Sequence, residues 1–172
     1  LDQLQLGTEV WIDDGKMGTQ VEAILPEGLL LRVTHARDKG ERLRPDKGLN
    51  FPGTELHLSS LTEQDRHDLD FIAHNADIVG YSFVQEVADI DLLQQELRRL
   101  QGEQAPPLAL IIKIETPRAV RNLPALIVHA AGNQSLGVMI ARGDLAVEIG
   151  YERLAEIQEE MLWVCEAAHV PV

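Results

Sequence analysis

Cysteine occurs once in the 172 residues, at Cys165, so an internal disulfide is excluded and a reducing compartment is the one that fits. There is no run of eighteen apolar residues and no charged-then-apolar leader at the start, which points away from a membrane span or export. Positive charge is scarce: 15 Lys and Arg stand against 28 Asp and Glu, giving a formal net charge of −13. A field of that sign disfavours nucleic acid and anionic membranes, so the expected partner is a small molecule, and an anionic one has to be met by a local cationic pocket. The six histidines include no HExxH or similar metal-ligand spacing. What is present is ordinary globular material, 45% hydrophobic and 25% charged, enough for one domain or a domain with a small appendage. The expected location is the cytoplasm.

Two textures divide the chain. Val10-Trp-Ile12, Val21-Glu-Ala-Ile24 and Leu29-Leu-Leu-Arg-Val33 are short β-type runs punctuated by Asp14-Gly15, Gly18, Pro26 and Gly28, which reads as a small antiparallel β module. From Leu61 onward helix and strand alternate, the pattern of parallel βα units and an α/β class, with the boundary near Asn50-Phe-Pro-Gly53. Thr62 and Asp65 form a variant capping box, and Leu69 and Ile72 give the helix after it an apolar face. A strand is expected over Ile78 to Val84, a helix through Ile90, Leu93, Leu97 and Leu100, and a strand over Leu108 to Ile114. Thr116-Pro117 supplies an N-cap and a first-turn proline for a helix that Pro124 is expected to divide in two. Leu136 to Ala141 reads as the third strand. Leu154, Ile157, Met161, Cys165 and Ala168 form the stripe of a last helix, which places Cys165 in the core, and Val170-Pro-Val172 starts a possible further strand. Three βα units do not close a barrel and leave two sheet edges to be covered, so the chain reads as a fragment.

Chemistry concentrates in two segments. Leu110-Ile-Ile-Lys-Ile-Glu115 and Gly137-Val-Met-Ile-Ala-Arg-Gly-Asp-Leu145 are apolar strands that end in charge, and in parallel α/β architectures ligands bind outside the carboxyl ends of the strands. Lys113 and Glu115 share a strand face, so they form either a strand-end surface ion pair or part of a site. Arg142-Gly-Asp144 is either an exposed turn or, with Asp144 as N-cap of a short helical turn, a second part of it. Asp13-Asp14-Gly15 is a hairpin turn first and a nucleotide contact second. Lys47 lies among Arg37, Lys39, Arg42 and Arg44 interleaved with acids, where a solvated loop is the plain alternative.

Six collinear stretches resemble the middle of pyruvate kinase: Trp11-Ile-Asp-Asp-Gly15, Asp46-Lys-Gly-Leu-Asn-Phe-Pro-Gly53, Leu61-Thr-Glu-Gln-Asp65, Tyr81-Ser-Phe-Val84, Ile112-Lys-Ile-Glu115 and Met139-Ile-Ala-Arg-Gly-Asp-Leu145. The resemblance implies an α/β fold in which part of a small, mobile β-barrel cap domain, residues 1–53, precedes part of a TIM-type (β/α)8 barrel, residues 54–172, carrying barrel strands four to six. It implies phosphoryl transfer from phosphoenolpyruvate to ADP, giving pyruvate and ATP. Lys113 is then the catalytic ammonium, and Glu115 and Asp144 are ligands for Mg²⁺, with Mn²⁺ as a substitute. Ser82, Gly143 and Asp144 contact substrate, with free N–H groups beyond Gly143 for its carboxylate, and Lys47 lies on the nucleotide side. K⁺ and a homo-oligomer, usually a tetramer, are further family implications, although the family's Asn-Arg-Ser segment with the K⁺ ligands and its Thr-bearing seventh-strand motif are absent from these residues.

Departures accompany the match: Gln85 where the family has a basic residue, Ala146 where it has glycine, and Tyr81 where a small residue is common. Activity of these 172 residues by themselves is not expected. Two rival readings stay open. One is a Mg²⁺-dependent class II aldolase or lyase of the phosphoenolpyruvate/pyruvate barrels, on Ile114-Glu-Thr-Pro-Arg-Ala-Val120 and Gly143-Asp-Leu145; the other is a pyruvate kinase-like module without turnover, kept for regulation.

Overall fold

The computed structural model describes residues 3–54, 56, 58–102 and 104–172. The first part is a four-stranded antiparallel sheet of β1 (Glu9–Ile12), β2 (Met17–Leu25), β3 (Gly28–His35) and β4 (Leu49–Asn50), in the order β3-β2-β1-β4. Ile12 pairs with Met17 across a tight turn in which Lys16 N donates to Asp13 O at 3.2 Å. Asp14 and Gly15 both take positive φ, 54° and 81°, the mirror-image turn that suits the twist of a hairpin. Strand β4 returns to pair with β1, Trp11 opposite Asn50, and so brings residue 50 to the sheet's edge.

The second part alternates helix and strand: α1 (Glu63–Asn75), β5 (Ile78–Tyr81), α2 (Val87–Gln101), β6 (Ala109–Ile114), α3 (Pro117–Ala131), β7 (Leu136–Ile140), α4 (Arg142–Ile149) and α5 (Leu154–Ala167). The three strands form a parallel sheet, β5-β6-β7, with Tyr81 opposite Ile112 and Lys113 opposite Met139. Alternation assigns the faces. Leu110, Ile112 and Ile114 point to the helices and are at most 1% exposed, whereas Ile78 and Met139, on the other face, are about half exposed. The core therefore lies on one side of the sheet, beneath α1, α2, α3 and α5.

Local chemistry explains the helix starts. Thr62 Oγ1 accepts from Asp65 N at 3.1 Å and Asp65 Oδ2 accepts from Thr62 N at 2.8 Å, closing the capping box anticipated for α1. The Thr62 hydroxyl, donating to Asp65 Oδ2 at 2.7 Å, and then the Thr62 N–H hold the Asp65 carboxyl below its usual range. Thr116 Oγ1 accepts from Ala119 N at 3.2 Å, with Pro117 in the first turn of α3.

Four expectations need correction. Pro124 does not divide α3, which runs unbroken from Pro117 to Ala131. An internal proline costs about 3 kcal/mol, while burial of each of Leu123, Leu126 and Ile127 on the continuous face is worth about 1.5–3 kcal/mol, so the stripe wins. Pro124 itself is exposed, where water can satisfy the carbonyl freed one turn back. The strand expected to Val84 stops at Tyr81, because Phe83 adopts φ 53° and turns the backbone away from the ladder. Asp144 is not an N-cap: Ala141 is, its N–H still tied to Ile114 O at 3.2 Å, so α4 begins at Arg142 and Asp144 is its third residue. Val170 to Val172 form no strand, although Pro171 O accepts from Val138 N at 2.8 Å along the outer edge of β7.

Candidate functional site

The ends of β5, β6 and β7 lie side by side by register, and the residues just beyond them meet there. Lys113 is the last residue but one of β6 and faces away from the helices. Its Nζ donates to Ser82 Oγ at 2.8 Å and lies 2.9 Å from Glu115 Oε1. Glu115 is 1% exposed, and its second oxygen, Oε2, accepts from Phe83 N at 2.6 Å. A buried carboxylate is tolerated only with such partners, and here one is a cation and the other an oriented backbone amide. The left-handed turn at Phe83 is what aims that amide at Glu115.

Asp144 enters from the next strand. It lies in the first turn of α4, where the helix dipole favours negative charge, and no side chain caps the helix there. A Cβ built on Gly143 meets nothing within 4 Å, so the approach to this end of the helix is open. Asp144 Oδ1 accepts from Asn50 Nδ2 at 3.2 Å, a bond that spans 94 positions of sequence and joins β4 to α4. Glu148, one turn further along, accepts from Phe51 N at 3.3 Å. Burial pushes its carboxyl above the usual range, with the charge of Asp144 adding to the effect, against the bonds from Phe51 and Asn50.

The hairpin tip reaches the same helix, for a Cβ on Gly15 would lie 3.1 Å from the Val147 side chain. Lys47 is bound 2.8 Å from Asp13 Oδ1, and Lys16 lies 2.9 Å from the other carboxylate oxygen. Both lysines, Lys47 first, hold the Asp13 carboxyl below its usual range. Lys47 thus sits with the hairpin turn rather than with the Lys113 group. A cavity of about 810 Å³ opens beside the strand ends, lined in part by Asn50, Phe51, Ser82, Thr116, Arg118 and Glu148.

Lys113, Glu115 and Ser82 are therefore in one hydrogen-bonded group, while Asp144, with Gly143 beside it, is bonded to Asn50 and not to that group. The departures have local roles. Gln85 Oε1 lies 3.5 Å from Thr116 Oγ1 and its carbonyl accepts from Asn122 Nδ2 at 2.8 Å, so it joins the starts of α2 and α3. Tyr81 is buried and points to the helices, where burial pushes its phenol up to about 12. Ala146 is buried on α4. Sequence reading misses Asn50, the Phe83 amide and Glu148. The spacing Asp144–Glu148, one helical turn, is a usable signal for the last; Asn50 stands inside the Asp46–Gly53 motif, where composition marks only a boundary.

Comparison with known proteins shows the family of the chain. The family model "Pyruvate kinase, barrel domain" matches residues 1–172. The rat protein named pyruvate kinase PKLR is 36% identical over 168 residues, covering 97% of this chain and 27% of its own length. Its human counterpart is 35% identical over the same extent, and pyruvate kinase of Bacillus licheniformis is 33% identical over 174 residues, 100% of this chain and 28% of the relative. The chain thus spans little more than a quarter of these relatives' length. On a match that runs from end to end, this mixed α/β chain with its parallel sheet belongs to the pyruvate kinase family.

Proposed function

We propose that this chain carries part of the catalytic apparatus of a pyruvate kinase: transfer of a phosphoryl group from phosphoenolpyruvate to ADP, giving pyruvate and ATP. The observation that carries the reading is the joined group Lys113–Ser82–Glu115–Phe83 N–H at adjacent strand ends, with Asp144 in the first turn of the helix that follows the neighbouring strand. On this reading the antiparallel unit is part of the family's cap and the βα units are part of its TIM-type barrel.

The chemistry needed is charge neutralisation on a transferring phosphoryl and on an enolate oxygen. Lys113 is a fixed, partly exposed ammonium with three donors, two of them engaged by Ser82 and Glu115, which leaves one for a substrate oxygen. Ser82 both orients it and offers a hydroxyl to the same oxygen. The uncapped start of α4, behind the open space at Gly143, suits the substrate carboxylate.

The donor set also fits a hard divalent cation. No group of three His, Cys, Asp or Glu side chains that could hold a metal gathers among the described residues, and the reading assigns the ion to the two carboxylates Glu115 and Asp144. Mg²⁺ is commonly held by one or two carboxylates, with water and substrate phosphate completing the shell, and each engaged oxygen here keeps a lone pair. When bound, Mg²⁺ or Mn²⁺ supplies Lewis-acid stabilisation of the developing negative charge. Lys47 is assigned to the nucleotide side, its pairing with Asp13 being the contact a nucleotide phosphate would compete with. The requirement for K⁺, the cytoplasmic setting and oligomer formation are proposed with the family. No helix among the described residues is long and apolar enough to cross a membrane.

The test is turnover by a polypeptide that holds this segment together with the family's missing arginine and threonine motifs, with aldol cleavage assayed beside it. Pyruvate formation from phosphoenolpyruvate and ADP that is lost in Lys113→Met supports the reading. Aldol cleavage alone, or transfer retained by Lys113→Met, overturns it.

A further inference from the structure

Asn50 occupies an unusual position for a neutral side chain. It is 3% exposed, lies at the end of β4, and directs its Nδ2 at Asp144 Oδ1 at 3.2 Å. Glu148, the other carboxylate of α4 at this edge, lies one turn further along. Two carboxylates at this spacing repel each other, and both would converge on any cation brought to the end of the helix. A lysine in place of Asn50 would separate them but would also cancel the charge that a cation needs. A neutral amide orients Asp144 without cancelling its charge. The neighbouring Phe51 N–H, 3.3 Å from Glu148 Oε1, pulls Glu148 toward β4 in the same sense.

We propose that Asn50 is a positioning residue for Asp144: from the edge strand of the antiparallel sheet it fixes the carboxylate that receives the divalent cation, while the adjacent Phe51 N–H draws Glu148 aside. The inference rests on the assignment of Asp144 as a metal ligand. It makes the antiparallel sheet part of the metal site without supplying a ligand, since β4 reaches Asp144 through this one side chain. Partners that orient a ligand typically change metal affinity by about 10–100-fold when removed.

The test is Mn²⁺ titrated into the 172-residue chain and followed by electron paramagnetic resonance, with near-ultraviolet circular dichroism reporting the fold. Asn50→Leu, nearly the same shape without donors, is expected to weaken Mn²⁺ about 10-fold or more, and Asn50→Gln, which restores an amide, to recover part of that loss. Glu148→Gln is expected to change affinity by less than about 3-fold, because Glu148 is not a ligand; this variant keeps its hydrogen-bonding shape and decides the matter even where Asn50→Leu does not fold. Wild-type affinity in a folded Asn50→Leu, or a loss in Glu148→Gln as large as that in Asp144→Asn, overturns the inference. Unchanged affinity in Asp144→Asn overturns instead the metal-ligand assignment beneath it, so the two failures are told apart.

Discussion

Lys113 Nζ, near the end of β6, and Glu115 Oε1, just past it, lie 2.9 Å apart, the carboxylate 1% exposed and the ammonium side chain 27% exposed. The pair is asymmetric: the acid depends on the base for its burial, while the base keeps a route to solvent. Removing the cation therefore strands a buried charge. Lys113→Met is expected to destabilise the chain by about 3 kcal/mol, the lower end of what breaking a buried pair costs because Lys113 is partly hydrated. Chemical denaturation checks this, and a loss below about 1 kcal/mol contradicts it by placing the pair with ordinary surface ion pairs.

The continuity of α3 across Pro124 gives a second expectation. Pro124→Ala restores a helix N–H where the ring is exposed and faces no core residue. The helix-interior gain of about 3 kcal/mol is offset by about 0.4–1 kcal/mol of added unfolded-state freedom, so a net stabilisation of about 2 kcal/mol is expected. A lower melting temperature in the variant would show that the proline is accommodated by a kink that α3 needs.

At the start of α1, Thr62→Ala removes the acceptor for Asp65 N and one side of the capping box. The expected loss is about 1 kcal/mol. The linkage has a definite sign: Asp65 titrates below its usual value in the fold, so its contribution is present above about pH 4 and disappears as the pH falls through the lowered value. Stability measured against pH should lose that acidic slope in Asp65→Asn.

Glu148 behaves in the opposite direction. Its carboxyl titrates above the ordinary value of 4.5 in the folded chain, so the fold holds a proton that the unfolded chain has released, and stability falls as pH rises from 4.5 through the raised value. Glu148→Gln should leave stability unchanged below that window and raise it at neutral pH. A variant less stable than wild type at pH 7 would mean that the Phe51 N–H and Asn50 more than compensate the buried charge.

Short spacings are the part of this structure that can be read in advance. The alternation of Leu110, Ile112 and Ile114 against Lys113, the Thr62–Asp65 box and the Thr116-Pro117 start all act within four residues, and each forms as anticipated. The candidate site is legible for the same reason where its residues end a strand: Lys113 and Glu115 are paired by β6 itself. Asn50 and Asp144 are not, because 94 positions separate them and only the folding of β4 against α4 brings them together. Phe83 escapes notice since Tyr81-Ser-Phe-Val84 has a strand's composition, and the positive φ at Phe83 answers to the Glu115 carboxylate waiting across the strand end. Pro124 misleads because its local penalty is visible in the sequence while the buried stripe on either side of it outweighs that penalty only in the fold.

The central claim is that these residues build the half-site for an enolate and its metal, and the most direct measurement is a calorimetric titration of the chain with oxalate, a stand-in for the pyruvate enolate, with and without Mg²⁺ and again on Glu115→Gln. Binding that requires both Mg²⁺ and Glu115 is the expected result. Oxalate binding indifferent to both, or none from a chain shown to be folded, would contradict it.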